Sequence, residues 1–415
     1  MKKITREQAN CFMPGPAETV SGRLLGPLTG LTFAVKDLFD LEGAPTGAGS
    51  PEYLARAHPA RRSARAVQEC LDAGAKCVGK TVMDEFAYSI AGRSARYGSP
   101  LNAASPERLA GGSSSGSASA VAAGLADFAL ATDTGGSTRC PASQCGLIGL
   151  RPTWGRGSLE GCRPLAPSFD TCGLLAKSMK VFRRAFAVLY GPDEKVFPAR
   201  PRLLLPADAW EAVPKALHEA FSRPLAEARA LWGGGEEARL APCPLGRSAE
   251  VFRHLQAAEA WRSWGSFIEQ VHPELGPGVR ERFAFAREAA SEDPRPWREE
   301  RSRIKAFLDE ELAGGGLLVF PTLPGPGPLR LGSNADMERF RSSAFALLSP
   351  AGLAGLPSLS LPLGTLQGAP VGLTLLGSAG CDEWVLRCGC ELMESLSRPR
   401  MLFSGAGFAP IFFFL

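Results

Sequence analysis

The stretch Gly111–Gly124, GGSSSGSASAVAAG, constrains this chain more than any other. Its side chains are small and uncharged. A flexible linker is one reading of such a run. Against it, Ala118–Ala123 favours helix, and side chains this small let a helix pack closely against a neighbour. Phe128–Ala131 then reads as a buried strand, which breaks into Thr132-Asp133-Thr134-Gly135-Gly136-Ser137. A polar, glycine-rich turn at the C-terminal end of a strand is where α/β sheets often place their ligands.

The flanking segments read the same way. Leu31–Val35 is a short apolar run with Lys36 and Asp37 at its end. Arg62–Ala73 is expected to be a helix, with Val67, Cys70 and Leu71 on one face and Gly74 at its cap. Ala75–Val78 is a second strand candidate. Strands alternating with helices indicate an α/β fold. The region of about 182–312 differs, being rich in Arg, Glu and Trp. Helical patterns run over Phe252–Ile268 and Glu299–Leu312, and Ile304, Phe307, Leu308 and Leu312 share a face. This region is expected to be a helical cover or insert. Leu317–Phe320 returns to strand and Pro321–Pro328 is a Gly/Pro loop. Ala369–Leu376 is a further strand candidate and Asp382–Leu396 an amphipathic helix. Segments from both ends of the chain therefore complete one sheet, which makes 1–415 a single domain with its core in 20–180 and 315–400.

Composition narrows the function classes. The chain has 415 residues, 45% of them hydrophobic and 21% charged, with a net charge of +4. That is a soluble globular composition, and the charge is too small to point to nucleic acid or an acidic membrane surface. Eleven cysteines are scattered from Cys11 to Cys390 without a Cys-x-x-Cys pair. Reduced, mostly buried thiols in a cytosol-like compartment fit this better than a disulfide framework, so the expected location is cytoplasmic. Met1–Gln8 is charged and no apolar run follows it, which argues against a signal peptide. The tail ends in Pro410-Ile411-Phe412-Phe413-Phe414-Leu415, and Gly405, Gly407 and Pro410 break it too often for a bilayer span. It reads either as packed against the body or as a surface anchor or partner contact.

Several motifs compete for the chemistry. Gly112-Ser113-Ser114-Ser115-Gly116 matches the nucleophile elbow of α/β-hydrolases, with Ser114 as the nucleophile. That fold needs a histidine downstream, and only His218, His254 and His272 are available, all in the charged helical middle. The elbow also wants a strand directly before it, and Pro106–Ala110 is a poor one. Gly74–Thr81 fits the nucleotide-binding P-loop letter for letter, yet a helix precedes it and Ala75–Val78 looks like the strand itself. Ser302-x-x-Lys305 matches a penicillin-binding pattern inside a charged helical run. No credible metal cluster appears. A serine hydroxyl needs a base to become nucleophilic, and a lysine can serve only when neutral. Its reference pKa of about 10.4 must then fall by roughly two to three units through burial. Lys36, after Phe33-Ala34-Val35, could be so buried, or it could simply end its strand in water. On physical grounds the two stand level.

The residues also resemble a known family. Gly111-Gly112-Ser113-Ser114-Ser115-Gly116-Ser117, Thr132-Asp133-Thr134-Gly135-Gly136-Ser137-Thr138-Arg139, Pro141-Ala142-Ser143 and Cys145-Gly146 together resemble the amidase signature. Ser113 and Ser137 lie 24 residues apart, the separation the family pattern has. Phe33-Ala34-Val35-Lys36-Asp37 looks like its catalytic-lysine segment. Val78–Thr81 running into Met83–Ala87 is similar to another family segment, which makes the P-loop match a coincidence. Ser168–Thr171, Phe320–Thr322, Leu348–Gly352 and Pro357–Pro362 extend the likeness over most of the chain, toward the indole-3-acetamide hydrolases of plants and related bacterial amidases.

The resemblance implies an α/β amidase signature fold, a mixed central β-sheet covered by helices on both faces. It implies Ser137 as the nucleophile, Lys36 as the base, and Ser113, preceded in the family by a cis peptide bond, as the bridge between them. The N–H groups of Thr134, Gly135, Gly136 and Ser137 would form the oxyanion hole, where glycines let the backbone approach the developing charge. The implied reaction converts a small carboxamide, such as indole-3-acetamide or another aryl-acetamide, to acid and ammonia without metal or organic cofactor. Two alternatives are the glutamine-hydrolysing component of a tRNA-dependent amidotransferase and a non-catalytic amidase-like binding domain. The partner expected is a small amide, with neither nucleic acid nor membrane; the oligomeric state is left open. Thr138, where the family usually has an apolar residue, and Arg151, where it often has lysine, depart from the pattern.

Overall fold

The computed structural model describes residues 3–15 and 19–398; the tail from Met401, with its two readings, lies outside the described residues. Ten strands form one mixed sheet: β1 (Thr32–Lys36), β2 (Lys76–Thr81), β3 (Phe128–Thr132), β4 (Ile148–Arg151), β5 (Cys172–Ala176), β6 (Arg202–Pro206), β7 (Glu236–Ala238), β8 (Gly316–Pro321), β9 (Ser358–Leu366) and β10 (Ala369–Leu376). Their spatial order is β2-β1-β3-β5-β4-β9-β10-β8-β6-β7. The two ends of the sheet are parallel, β2-β1-β3 and β8-β6-β7, and the centre is antiparallel.

Strand alternation gives the sheet two different faces. Phe33, Val35, Phe128, Leu130 and Leu174 point into the main core, where Phe33 and Phe128 stack at 5.3 Å between ring centroids. Ala34, Ala129 and Ala131 point to the other face, into a smaller cluster with Ala118, Ala120 and Ala142. The small-residue run is therefore a helix, Ser115–Ala122, buried along nearly all its length. Close approach explains its composition. A Cβ on Gly116 would lie 2.5 Å from the carbonyl oxygens of both Cys11 and Val82. Alanines on the sheet and small side chains on the helix bring the two backbones together.

The expectation of a helical cover over 182–312 needs correction. Arg202–Pro206 and Glu236–Ala238 from this region join the sheet, parallel to one another, with β6 against β8. Both are short, and β7 is Glu236-Glu237-Ala238, which gives no strand-like apolar pattern. The helices of this half include Leu245–Val271, Val279–Ser291 and Arg295–Glu311, and Asn334–Ala354 packs with them. The last carries Pro350 inside its final turn and ends on Gly355 in the left-handed conformation. All eleven cysteines are free thiols, nine of them buried. Among the described residues no helix is long and apolar enough to cross a membrane.

Candidate active site

Parallel pairing of β1 with β3 sets the site. Val35 lies opposite Leu130, so the strand ends that follow, Lys36 and Thr132, reach the same C-terminal edge of the sheet. Lys36 has no exposed surface, and its Nζ donates to Ser113 Oγ and Thr132 Oγ1, each at 2.7 Å. Burial lowers its pKa to about 8, against weaker opposing effects of Cys162, Asp84, Asp170 and Asp133. Of the two readings of this lysine, burial is the one the fold adopts.

Ser113 is also fully buried, and the Gly112–Ser113 peptide bond is cis. Its loop is tied on three sides. Gly112 N donates to Ile90 O at 2.9 Å, and Asp84 N to Ser113 O at 3.2 Å. Ser114 N donates to Ser137 O at 3.3 Å, which stitches this loop to the glycine-rich turn. The Ser114 hydroxyl donates to Thr132 O at 3.3 Å, so the elbow nucleophile is engaged in holding the loop.

Asp133 shapes the turn from inside. Its carboxylate accepts from the N–H groups of Gly136, Thr138 and Arg139 at 2.8–3.2 Å, and from Arg139 Nε and Nη2 at 3.0 and 2.9 Å. Arg151 Nη1 adds a contact at 3.3 Å. Burial would raise its pKa, but Arg139 and Arg151 beside it hold the carboxyl well below the usual carboxylate range. One consequence bears on the four N–H groups expected to form an oxyanion hole. The Gly136 N–H is already committed to Asp133, whereas those of Thr134, Gly135 and Ser137 have no protein acceptor among the described residues.

Two helices press on this turn. A Cβ on Gly135 would lie 2.4 Å from Phe252 Cζ, and one on Gly136 2.5 Å from Leu348 Cδ1. Gly136 also has φ of 120°, which disfavours any other residue. Ser137 is 3% exposed. It lines a pocket of about 10 Å³ with Tyr88, Ile90, Phe345 and Arg341. Tyr88, Ser89, Ile90 and Arg341 also line a larger cavity of about 470 Å³.

The competing motifs resolve elsewhere. Lys80 forms a buried ion pair with Asp37 at 2.8 Å and donates to Pro45 O and Thr46 Oγ1. It is part of β2, and its ammonium is occupied by these protein groups. His254 stacks on Trp297 at 3.8 Å, and His218 Nε2 lies 2.9 Å from Trp210 O. Ser302 donates back to Arg298 O, and Lys305 pairs with Asp309. Among the described residues no group of His, Cys, Asp and Glu is placed to hold a metal. Sequence reasoning passed over Thr132, Asp133, Tyr88, Phe252 and Arg341. Thr132 was open to discovery, since equal strand lengths before Lys36 and Thr132 bring both to one edge. Phe252 and Arg341 stand on helices far away in the chain.

Comparison with known proteins shows the family and the fold. The family profile described as Amidase matches residues 15–217. Amidase 1 of Oryza sativa subsp. japonica is 37% identical over 89% of this chain and 91% of its own length. Amidase 1 of Arabidopsis thaliana is 38% identical over 89% and 93%. More distantly, the chloroplastic outer envelope protein 64 of Arabidopsis thaliana is 32% identical over 93% of this chain and 71% of its own length. A solved structure described as that of an amidase superposes with a TM-score of 0.79 at 35% identity, covering 89% of this chain and 85% of that one.

Proposed function

The chain belongs to the amidase family, and we propose that it hydrolyses a small primary carboxamide to the acid and ammonia through Ser137, Ser113 and Lys36. The observation that carries this reading is the buried Lys36 with its pKa lowered to about 8 and its amine on Ser113 Oγ. A lysine so buried is available as a neutral base near physiological pH. Neutral Lys36 takes a proton from Ser113, which takes that of Ser137 as Ser137 Oγ attacks the amide carbon. The tetrahedral oxyanion is held by the N–H groups of Thr134, Gly135 and Ser137, each worth roughly 3 kcal/mol. The relay returns the proton to the leaving nitrogen, the C–N bond breaks and ammonia departs. Water then adds to the acyl-enzyme by the same relay and releases the acid. Hydrogen bonds between catalytic groups, such as the one this relay needs between Ser113 and Ser137, commonly tighten in the Michaelis complex.

The aromatic walls Tyr88 and Phe345 suit a flat acyl group, which favours aryl-acetamides, indole-3-acetamide among them. Free buried thiols favour a cytoplasmic location. Presence of all three proposed catalytic residues weighs against a purely binding role. The test is ammonia release from a panel holding indole-3-acetamide, phenylacetamide and glutamine. Ser137→Ala is expected to abolish release, and Lys36→Ala to cost more than Ser113→Ala. If no amide is turned over and an acylating probe leaves Ser137 unlabelled, the reading fails; a preference for glutamine selects the amidotransferase alternative.

A further inference from the structure

The cavity outside Ser137's pocket has an unbalanced charge. Arg93, Arg253, Arg282 and Arg341 line it against only Glu281 and Glu338. Glu281 is occupied at the start of its own helix, accepting from Gly278 N. Glu338 alone serves two arginines, lying 3.4 Å from Arg282 and 3.5 Å from Arg341. It is itself 54% exposed, while the side chains of Arg282 and Arg341 are only 12% and 15% exposed. Arg341 Nε is buried without a hydrogen-bond partner. A buried guanidinium that is neither fully paired nor fully hydrogen-bonded is costly unless a ligand completes it.

Position gives this imbalance its meaning. Arg341 lines both the outer cavity and the pocket of Ser137. Its guanidinium lies over the Phe345 ring at 4.9 Å, and Arg282 is fixed by donation from Nε to Tyr88 O at 2.6 Å. The cationic groups thus line a cavity that shares Tyr88, Ser89, Ile90 and Arg341 with the pocket of Ser137. We propose that the outer cavity is a carboxylate subsite centred on Arg341 and Arg282, and that the amide substrate carries a carboxylate at the end remote from its scissile bond. The inference rests on the amidase reading of Ser137. A planar guanidinium matches a carboxylate in geometry and charge, and a cavity of about 470 Å³ has room for a ring between amide and anion.

The probes are phenylacetamide, its para-carboxymethyl analogue, and glutamine. The carboxymethyl compound is expected to exceed phenylacetamide in kcat/KM by about tenfold or more, through KM, with the preference shrinking in high salt. Arg341→Met should erase most of that preference and Arg341→Lys restore part of it. Glu338→Gln, which removes the competing carboxylate, should tighten the carboxymethyl compound. Glutamine, which adds an ammonium, should be the poorer carboxylate substrate. Binding of 1,4-phenylenediacetate to the Ser137→Ala protein, read by calorimetry, separates the two claims. If the dianion binds and Arg341→Met weakens it while no amide is hydrolysed, the subsite stands and the amidase reading falls. If amides are hydrolysed yet phenylacetamide is preferred, or Glu338→Gln leaves the carboxymethyl compound no tighter and the dianion does not bind, the subsite is overturned.

Discussion

Lys36 shows how one buried side chain couples stability to chemistry. Its folded pKa of about 8 lies below the unfolded value of about 10.4. Between these values the unfolded chain binds the extra proton, so stability rises with pH through this window and is lost as pH falls to 8. The contribution is about 3 kcal/mol from the size of the shift. Lys36→Met should therefore remove a pH dependence: denaturant unfolding at pH 7 and pH 10 should show the wild type gaining about 3 kcal/mol relative to the variant. The same titration should appear in kcat/KM, rising with pH and levelling off above about 8. A flat profile in both measurements would remove Lys36 as the base. On physical grounds alone the sequence left this residue level between base and exposed strand end, because an apolar run before a lysine does not reveal what covers it; the family resemblance supplied the base. Thr132, Ser113 and the helix Ser115–Ala122 supply the cover.

At the scale of elements, the glycine-rich turn is shaped by what presses on it. Asp133 folds the backbone inward, and the helices Leu245–Val271 and Asn334–Ala354 place Phe252 and Leu348 against Gly135 and Gly136. Gly135→Ala puts a methyl 2.4 Å from the Phe252 ring, so ring or turn must move. Loss of one aligned oxyanion donor lowers kcat roughly 100-fold or more. Adding Phe252→Leu should recover part of the loss in the same assay; no recovery would place the fault in the turn alone. The commitment of the Gly136 N–H to Asp133 was not legible in sequence. Nor was the helix Asn334–Ala354, which continues through Pro350. Gly352 is small for a tertiary reason, since a Cβ there would lie 3.2 Å from Thr134 O.

For the molecule as a whole, one sheet is assembled from distant parts of the chain, and buried ion pairs fix the connections. Lys80 on β2 reaches Asp37 after β1, and both side chains are 1% exposed. Lys80→Met leaves the Asp37 carboxylate buried without its cation, a change that typically costs about 3–5 kcal/mol. Its melting temperature should fall accordingly, and millimolar ATP should raise the wild-type melting temperature by nothing measurable. Stabilisation by ATP would revive the nucleotide reading that the letters of Gly74–Thr81 suggest.

The order of residues alone carried the α/β class, the small-residue helix, the strand ends that hold Lys36 and the Ser137 turn, and the 24-residue separation of the two serines. These are local properties: strand and helix periodicity, glycine turns and motif spacing need no distant partner to be read. Folding of the whole chain settled that Lys36 is buried, that Gly136 commits its N–H to Asp133, that β6 and β7 join the sheet, and that Arg341 borders both the outer cavity and the pocket of Ser137. Each of these depends on which surfaces meet across distant parts of the chain. Burial, charge balance and hydrogen-bond commitment are properties of the contact, and they exist only once the chain has closed on itself.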